Sequence, residues 1–268
     1  MPLDPSSIRL SDRVALVTGV GRGVGRATAV TLARFGATVA MCDRLPDALD
    51  DTAAAVRASG TAPVVRPLDV RDAEAVAAFV DDVVAAHGRI DILVNNAGGT
   101  FVAPFLDLSG KGEQTLVAEN FTQVTRLIRL VVSHMPAGGA IVNLTSVEAH
   151  QAAPGFAVYA AMKAALAQLT RTLALELAPG IRVNAVAPDA IPTEGDRDVR
   201  AAMLDGGSPY EPVFLPPLGV GRPEDAAAVV VFLASPMARF LTGITVHVDG
   251  GTWAAGGWRR TDQPDPTA

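Results

Sequence analysis

Short apolar runs alternate with longer alanine-rich segments along most of the chain. The apolar runs predict strands over residues 14–18, 38–42, 64–68, 92–95, 140–145, 182–187 and 244–248. The longer segments carry apolar residues every three or four positions and predict helices over residues 24–35, 46–58, 72–87, 111–135, 159–177 and 223–234. Because the strands are apolar throughout, both faces of the sheet should be buried between helix layers. The pattern therefore predicts an α/β fold with a doubly wound parallel sheet in three layers.

Three stretches fall outside this alternation. Residues 1–11 are expected to form an N-terminal extension, and residues 252–268 a turn-rich C-terminal tail that frays. Residues 189–222 carry many Gly, Pro and acidic residues, and so long a connection within a compact domain is typical of a lid over the substrate. No internal repeat or linker divides the sequence, so one catalytic domain over residues 1–268 is expected. Doubly wound sheets bind ligands beyond the carboxyl ends of their strands, so functional residues are expected directly after each strand.

The composition fits a single domain and disfavours several classes of partner. A chain of 268 residues, 49% of them hydrophobic, can bury about three quarters of its unfolded surface in one α/β core. The net charge is −6 and no run of Lys or Arg forms a basic stripe, so nucleic acid is not an expected partner. No apolar stretch approaches the roughly 20 residues of a membrane span and the N-terminus lacks a secretion signal, so we expect a cytoplasmic protein. The single cysteine, Cys42, lies in an apolar run and is expected to be a buried thiol.

A glycine-rich loop with the sequence TGVGRGVG follows the first predicted strand and leads directly into a helix. Its glycines let the backbone turn tightly and approach a pyrophosphate, whose negative charge the amides of the helix N-terminus would receive. Turns and helix caps also use glycine, but the order of strand, loop and helix favours a dinucleotide site. The loop residues expected to contact the cofactor are Gly19, Gly21, Arg22, Gly23, Val24 and Gly25.

Asp43, just after the second predicted strand, favours NAD over NADP. It follows the last loop glycine by 18 residues, close to the offset of about 20 at which a carboxylate binds the adenosine ribose hydroxyls. A carboxylate at this place would repel the 2′-phosphate of NADP. Arg22 and Arg44 keep NADP open, because either guanidinium could reach such a phosphate. Asp43 could instead be a helix-capping or turn residue. Asp69 and Val70 are expected to flank the adenine ring, although they could simply end the third strand.

The segment YAAMK places Tyr159 and Lys163 four residues apart, hence on one face of a helix. Reduction of a carbonyl needs a proton donor beside the developing alkoxide, and a free tyrosine, with a pKa of about 10, is too weak a base for the reverse reaction. Lowering that pKa by about three units requires about 4 kcal/mol, which Lys163 and an oxidised nicotinamide could supply together in a desolvated pocket. The pair also occurs by chance on many helices, so its significance depends on the other motifs.

The glycine-rich loop, NNAG at 95–98, AIVNLTS at 140–146 and YAAMK at 159–163 occur together in this order. With these four motifs the sequence resembles the short-chain dehydrogenase/reductase family, from about residue 13 to residue 251. The segments RVNAVAP, GRPED and LTGITVHVDGG add to the likeness. The resemblance implies a Rossmann-like fold and an NAD(P)-dependent oxidoreductase that interconverts a secondary alcohol and a ketone, with a small molecule as substrate.

The resemblance also implies individual roles. Tyr159 matches the catalytic acid/base, Lys163 its partner, which also holds the nicotinamide ribose, and Ser146 the hydroxyl that polarises the substrate oxygen. A serine that donates to an oxygen where charge develops would act as a small oxyanion stabiliser. Asn120 matches the asparagine that holds a water in the proton relay to the lysine, or is an ordinary polar residue of a helix. Further cofactor contacts are implied for Asn96, Ala97, Gly98, Pro188, Ile191 and Thr193.

The sequence departs from the family pattern near the expected substrate. Asp189 stands where the family usually has glycine after the proline, and Met162 where it usually has serine before the lysine. Glu148 is also uncommon in the loop after the serine, and with Asp189 it could bind a polar or cationic substrate group or simply be solvated. Phe156 and His150 are further candidates for substrate contact. No metal site is expected, because the histidines have no ligand-spaced partners at their positions 87, 134, 150 and 247.

Three functional hypotheses stay open from the sequence. The first is an NAD-dependent alcohol dehydrogenase, the second an NADPH-dependent biosynthetic ketoreductase, and the third a dinucleotide-binding protein that has lost catalysis. The intact Ser, Tyr, Lys and Asn argue against the third. The resemblance also implies a homotetramer, formed through the two long helices beside the active site and through the last strand. Trp253 and Trp258 could pack at such an interface or cover a neighbour's pocket.

Overall fold

Seven parallel strands form one sheet in the computed structural model of the protein, which describes residues 3–189, 191–193 and 216–256. The strands are β1 (Val14–Thr18), β2 (Thr38–Asp43), β3 (Val64–Pro67), β4 (Ile92–Asn95), β5 (Gly139–Leu144), β6 (Ile181–Pro188) and β7 (Thr245–Val248). Their order across the sheet is β3-β2-β1-β4-β5-β6-β7. The order reverses between β1 and β4, where a doubly wound sheet opens a crevice for a ligand. The predicted fold class is confirmed.

Every helix that the sequence predicts is present, with ends that differ by a few residues. The helices are α1 (Gly23–Arg34), α2 (Pro46–Arg57), α3 (Ala73–His87), α4 (Gly110–Val117), α5 (Gln123–Val132), α6 (Ala157–Glu176), α7 (Pro223–Ala234) and the short α8 (Thr252–Ala255). The helix predicted over 111–135 consists of α4, a π-helical turn at Ala118–Thr122 and α5, which follow one another without a break. The expected tail begins with α8 instead of irregular chain. None of the described helices is long and apolar enough to cross a membrane.

Both faces of the sheet are buried, as the apolar strands predict. All five residues of β1 are buried, and alternate side chains enter opposite layers. Ala15 and Val17 pack with residues of α1, α2 and α7 on one face, whereas Leu16 packs with residues of α3, α5 and α6 on the other. A strand that is buried on both faces, such as β1, therefore needs apolar side chains at successive positions, which explains why it does not alternate between apolar and polar residues.

A buried carboxylate ties β1 to β4 at the amino end of the sheet. Asp91, which is 1% exposed, accepts hydrogen bonds from Arg13 Nη1 at 3.0 Å, Arg89 Nε at 3.0 Å and the Val14 backbone N–H at 2.9 Å. These donors satisfy a carboxylate that would otherwise be costly to bury. The contacts lie opposite the edge at which ligands bind, so they contribute to the stability of the sheet and not to the site.

The peripheral segments are described only in part. Residues 190 and 194–215 of the expected lid lie outside the described residues, as do residues 257–268, which include Trp258. In the expected N-terminal extension, Leu10 is fully buried and its N–H donates to the carbonyl of Phe35 at 2.8 Å. The end of the extension is thus part of the core.

Cys42 lies in β2 and is buried, as its apolar surroundings in the sequence predict. Burial, with a smaller contribution from the neighbouring Asp43, raises the pKa of its thiol to about 12. The thiol therefore stays protonated near neutral pH and has no place in the chemistry.

Candidate active site

The glycine-rich loop is held against the turn that follows β4. The Thr18 hydroxyl accepts hydrogen bonds from the N–H groups of Asn96, at 3.2 Å, and Ala97, at 3.0 Å. In return, the Asn96 side chain donates to the carbonyls of Thr18, at 3.0 Å, and Gly19, at 2.8 Å. Since β1 and β4 flank the reversal in strand order, these bonds form the floor of the crevice. The structure thus brings the loop at 18–25 and the turn at 95–98 together.

The walls of this crevice approach the loop so closely that they require glycine. A Cβ atom on Gly21 would lie 2.9 Å from Cγ of Asp43, and one on Gly23 would lie 2.7 Å from Cγ2 of Thr193. Gly23 also has a φ of 55°, which favours glycine, and it begins α1, whose N-terminal amides suit a phosphate. The residues present therefore fit a dinucleotide. The other predicted cofactor residues end or follow strands at the same edge: Val70, Ala97, Gly98, Pro188 and Ile191.

The Asp43 carboxylate has two contacts of different kinds. Its Oδ2 accepts from the N–H of Gly21 at 2.7 Å, and its Oδ1 accepts from the N–H of Leu45 at 2.9 Å. The contact with Leu45 is a local turn interaction, as the alternative interpretation of Asp43 expects. The contact with Gly21 places the carboxylate against the loop, within the crevice. Asp43 is therefore both a turn residue and a wall of the candidate cofactor site.

Two arginines beside the crevice have carboxylate partners. The Nε of Arg71 lies 3.0 Å from both oxygens of Asp69, and this hydrogen bonding lowers the pKa of the Asp69 carboxyl. The Nη1 of Arg44 lies 3.8 Å from Oε1 of Glu119, and the Arg44 side chain is 56% exposed. An ion pair this exposed is weak. Arg44 is thus free to turn toward a ligand, as the NADP alternative requires.

Tyr159 and Lys163 lie one turn apart on α6, where Lys163 is buried at 5% exposure. The Nζ of Lys163 lies 5.5 Å from the centroid of the Tyr159 ring and donates to the carbonyl of Leu144 at 2.9 Å. Leu144 ends β5 two residues before Ser146, so the lysine links the helix to the strand that carries the serine. Desolvation lowers the pKa of Lys163 to about 8, against the attraction of nearby carboxylates. A buried ammonium beside a phenol favours the phenolate.

Ser146 is 7% exposed and precedes a short 3₁₀ helix, Val147–Ala149, that packs against α6. Its Oγ donates a hydrogen bond to Oε2 of Glu148. Burial raises the pKa of the Glu148 carboxyl and Asp189 raises it further, whereas the Ser146 hydrogen bond and Lys163 lower it. Glu148 is therefore a partly buried neighbour of the candidate catalytic residues, and its interpretation as a solvated loop carboxylate is wrong.

Asn120 lies in the π-helical turn and is 1% exposed. Its Nδ2 donates to the carbonyls of Gly99, at 2.8 Å, and Leu116, at 3.0 Å, while its buried Oδ1 has no hydrogen-bond partner among the described residues. A Cβ on Gly98 would lie 2.9 Å from this Oδ1 and 3.3 Å from Nζ of Lys163, so the two polar atoms face one small space. π-helical turns occur frequently at functional sites. Asn120 is thus not an ordinary residue of a helix interior.

Three rings far apart in the sequence form a cluster beside the site. The ring centroids of His150 and His247 are 4.7 Å apart, and His247 stacks on Trp253 at 4.5 Å. His150 and His247 are thus neighbours although they are 97 positions apart in the sequence, and Trp253 packs on its own chain. The contact could not be predicted from spacing, because it depends on the order of the strands. Within residues 3–189, 191–193 and 216–256, no three His, Cys, Asp or Glu side chains are arranged to hold a metal ion.

Phe156 lies just before α6, with its ring centroid 6.5 Å from that of Tyr159. It lines an apolar recess with Phe101, Phe105 and Leu116. The sequence analysis named substrate candidates in the loop after Ser146 and in the lid, and it named none in the segment between β4 and α4 that shares this recess. The available sequence signal was the pair Phe101 and Phe105 in this segment. In the structure their side chains are 39% and 66% exposed.

Similarity to known proteins agrees with this geometry. Residues 19–252 match a family model described as Enoyl-(Acyl carrier protein) reductase. The chain is 40% identical over 253 residues to the short-chain reductase protein NovJ of Streptomyces niveus, with 90% of this chain and 94% of the relative covered. It is 38% identical over 250 residues to the cis-4-hydroxycyclohexanecarboxylate dehydrogenase of Sinomonas cyclohexanicum, with 90% and 96% covered. The chain belongs to the short-chain dehydrogenase/reductase family.

A solved structure supports the assignment to the short-chain dehydrogenase/reductase family. The structure of carveol dehydrogenase from Mycobacterium avium in complex with NAD is similar, with a TM-score of 0.83 and 33% identity over 92% of this chain and 99% of that chain. The family resemblance and the Rossmann-like fold are confirmed, as is the prediction of an oxidoreductase that acts on CH–OH groups. Members of this family use NAD or NADP.

Proposed function

We propose that this short-chain dehydrogenase/reductase interconverts a small secondary alcohol and its ketone with NAD, using Ser146, Tyr159 and Lys163 for the proton chemistry. The observation that carries the proposal is the buried ammonium of Lys163, 5.5 Å from the centroid of the Tyr159 ring and 2.9 Å from the Leu144 carbonyl oxygen. An ammonium loses much of its hydration on burial, which is costly. The proposed chemistry explains why the chain keeps a buried charge at this position, because the ammonium stabilises the phenolate of Tyr159.

In the oxidation direction, the phenolate form of Tyr159, which Lys163 stabilises, takes the proton of the substrate hydroxyl and becomes a neutral phenol. General acid–base catalysis of this kind contributes about 10²–10⁴-fold to the rate. Ser146 donates to the same substrate oxygen and stabilises the charge that develops on it. The bound cofactor supplies hydride transfer from or to the substrate carbon.

Asn120 is proposed to hold a water molecule through which protons pass between Lys163 and solvent. A Cβ atom placed on Gly98 would lie 2.9 Å from Oδ1 of Asn120 and 3.3 Å from Nζ of Lys163. The two polar atoms therefore face one space beside Gly98. Nδ2 of Asn120 is occupied by two backbone carbonyls, which fixes the orientation of the amide. The carbonyl oxygen is thus aimed at the lysine, as the water-holding role of this position requires.

The preference for NAD rests on Asp43. Its carboxylate contacts the N–H of Gly21 in the loop, at 2.7 Å, and a 2′-phosphate beside it would be repelled. The NAD complex of the similar carveol dehydrogenase supports the same cofactor. The exposed Arg22 and Arg44 favour the alternative, an NADPH-dependent ketoreductase. The cofactor would be held by the loop at 18–25, Asp43, the turn at 96–98, Lys163 and Thr193.

A homotetramer is part of the proposal. The described surface carries large apolar side chains on or near the elements expected to associate, such as Leu175 on α6, 80% exposed, and Phe240 before β7, 99% exposed. β7 forms one edge of the described sheet, and an edge strand can pair with another chain.

Steady-state kinetics over a panel of secondary alcohols and ketones, with NAD and NADP in parallel, tests the proposed function. Turnover should be faster with NAD, and Tyr159→Phe should lower kcat/KM by about 100-fold or more while its NAD affinity in calorimetry stays the same. Asp43→Ser should shift the ratio of kcat/KM values toward NADP. Binding of NAD without turnover across the panel would overturn the enzymatic role, and a wild-type preference for NADP would overturn the role of Asp43.

A further inference from the structure

The hydroxyl of Ser146 has an acceptor within the protein. Its Oγ donates to Oε2 of Glu148, on the short 3₁₀ helix that packs against both α6 and β6. A serine hydroxyl has one proton to donate and two lone pairs that accept. While the Glu148 carboxylate holds that proton, Ser146 can accept a hydrogen bond from a substrate but cannot donate one.

We propose that Glu148 is a positioning residue whose protonation state decides which hydrogen bond Ser146 offers to the substrate. When Glu148 is ionised, Ser146 accepts a bond from the hydroxyl of an alcohol. When Glu148 is protonated, its own O–H donates to Ser146 Oγ and frees the serine proton for the substrate oxygen. The inference rests on the proposed function, since it places Ser146 at the reacting oxygen. Glu148 exchanges no proton with the substrate, whose oxygen gives its proton to Tyr159 or takes it from there.

Burial and the charged groups on two neighbouring elements set the pKa of the Glu148 carboxyl. Burial raises the pKa of the Glu148 carboxyl above its ordinary value, and the negative charge of Asp189, directly after β6, adds to the rise. The hydrogen bond from Ser146 and the positive charge of Lys163, on α6, act in the opposite direction. The net effect is a carboxyl that is more easily protonated than an exposed glutamate.

Two further titratable groups lie on the elements around Glu148. His150 follows on the same loop, and desolvation together with His247 on β7 lowers its pKa, so it is neutral near pH 7. Tyr159 on α6 is the proposed catalytic group itself. Both groups remain in a variant that changes Glu148 alone, so a comparison of that variant with the wild type isolates the ionisation of Glu148.

Alcohol oxidation and ketone reduction pass through one transition state, in which the substrate oxygen carries negative charge. Ser146 stabilises that oxygen only by donating to it, so ionisation of Glu148 lowers kcat/KM in both directions by the same factor. The bond from Ser146 to an ionised carboxylate must first be broken. Hydrogen bonds to charged groups are strong enough to account for a loss of about tenfold or more.

Glu148→Gln tests the proposal, because its amide has nearly the same shape and can donate to Ser146 at every pH. We would measure kcat/KM for variant and wild type, in both directions, from about pH 4.5, the ordinary value that the pKa of Glu148 exceeds, to about pH 7.5. Higher pH is avoided because the Glu148 carboxylate also raises the pKa of Lys163, so its loss alters the lysine. The ratio of variant to wild type should rise about tenfold with pH, equally in both directions. Glu113→Gln, on the exposed first turn of α4, is the matched control and should give a constant ratio.

A Glu148→Gln ratio that stays constant over this range would overturn the proposal, because glutamine keeps a purely structural hydrogen bond. If Glu148→Gln fails to bind NAD in calorimetry, Glu148→Ala, which also lacks an ionisable group, takes its place, and a constant ratio again overturns the proposal. Failure of the proposed function has a different signature. In that case the wild type shows no turnover, or Tyr159→Phe retains it, whichever residue stands at position 148.

Discussion

The buried charge of Lys163 should lower the free energy of unfolding, and replacement of the lysine by an uncharged residue should raise it. Its ammonium is only 5% exposed, and desolvation lowers its pKa from the ordinary 10.5 to about 8. At about 1.4 kcal/mol per pKa unit, this difference corresponds to about 3 kcal/mol against holding the charge in the folded chain. Lys163→Met removes the charge and keeps most of the side-chain volume.

The effect of pH on this cost has a definite sign. The pKa of Lys163 is lower in the folded than in the unfolded chain, so the unfolded chain binds more protons between about pH 8 and pH 10.5. The free energy of unfolding of the wild type should therefore rise with pH across this window, relative to that of Lys163→Met. Below pH 8 the full cost is present. Near pH 7 the variant should be more stable by about 2 kcal/mol, after a loss of about 1 kcal/mol for the hydrogen bond to Leu144.

Urea unfolding at one protein concentration, near pH 7 and again above pH 9, measures both effects. The chain has only two lysines, and Lys111 is exposed on α4, so Lys111→Met is the matched control and should change neither stability nor its pH dependence. NMR of the two lysine side chains gives the pKa values directly. Titration of Lys163 near 10.5, or a Lys163→Met variant less stable than the wild type near pH 7, would refute the reasoning.

The crevice, the amino edge of the sheet and the oligomer each allow a separate test. Gly21→Ala should weaken NAD binding in calorimetry by about tenfold or more, since its Cβ would lie 2.9 Å from Cγ of Asp43 and displace the carboxylate; unchanged affinity would contradict this role of the loop. Asp91→Asn should lower the free energy of unfolding in urea by about 1–3 kcal/mol and leave kcat/KM unchanged, because Arg13 and Arg89 share that carboxylate far from the site. Light scattering at micromolar concentration should give about four times the 27.6 kDa of the chain, and a monomer would contradict the proposed tetramer.

Features that depend on local periodicity could be predicted from the sequence. Tyr159 and Lys163 share a helix face because they are four residues apart, and the strands are recognisable because burial on both faces requires continuous apolar runs. The π-helical turn around Asn120 could not be predicted, since the apolar spacing of 111–135 continues through it. What distinguishes this turn is a set of contacts with the carbonyls of Gly99 and Leu116, which only the folded chain shows.

Contacts set by the order of strands or by a single short turn also escaped prediction. His150 and His247 meet because the loop after β5 lies close to β7 across β6, a relation that no residue spacing encodes. The bond from Ser146 to Glu148 depends on a 3₁₀ turn of three residues, too short to leave a periodic pattern. Both contacts lie beyond the carboxyl ends of strands, where irregular segments take their shape from their neighbours.

The two edges of the sheet differ in how well their buried polar groups are satisfied. At the amino edge Asp91 accepts from three donors, and its burial is compensated. At the carboxyl edge the burial of Lys163 lowers its pKa, the burial of Glu148 raises its pKa, and the Oδ1 of Asn120 has no partner among the described residues. A chain selected for stability alone would remove such costs, and their concentration around one crevice is what a functional site requires. This argument is independent of the family motifs, because it uses only burial, hydrogen bonding and the direction of pKa shifts.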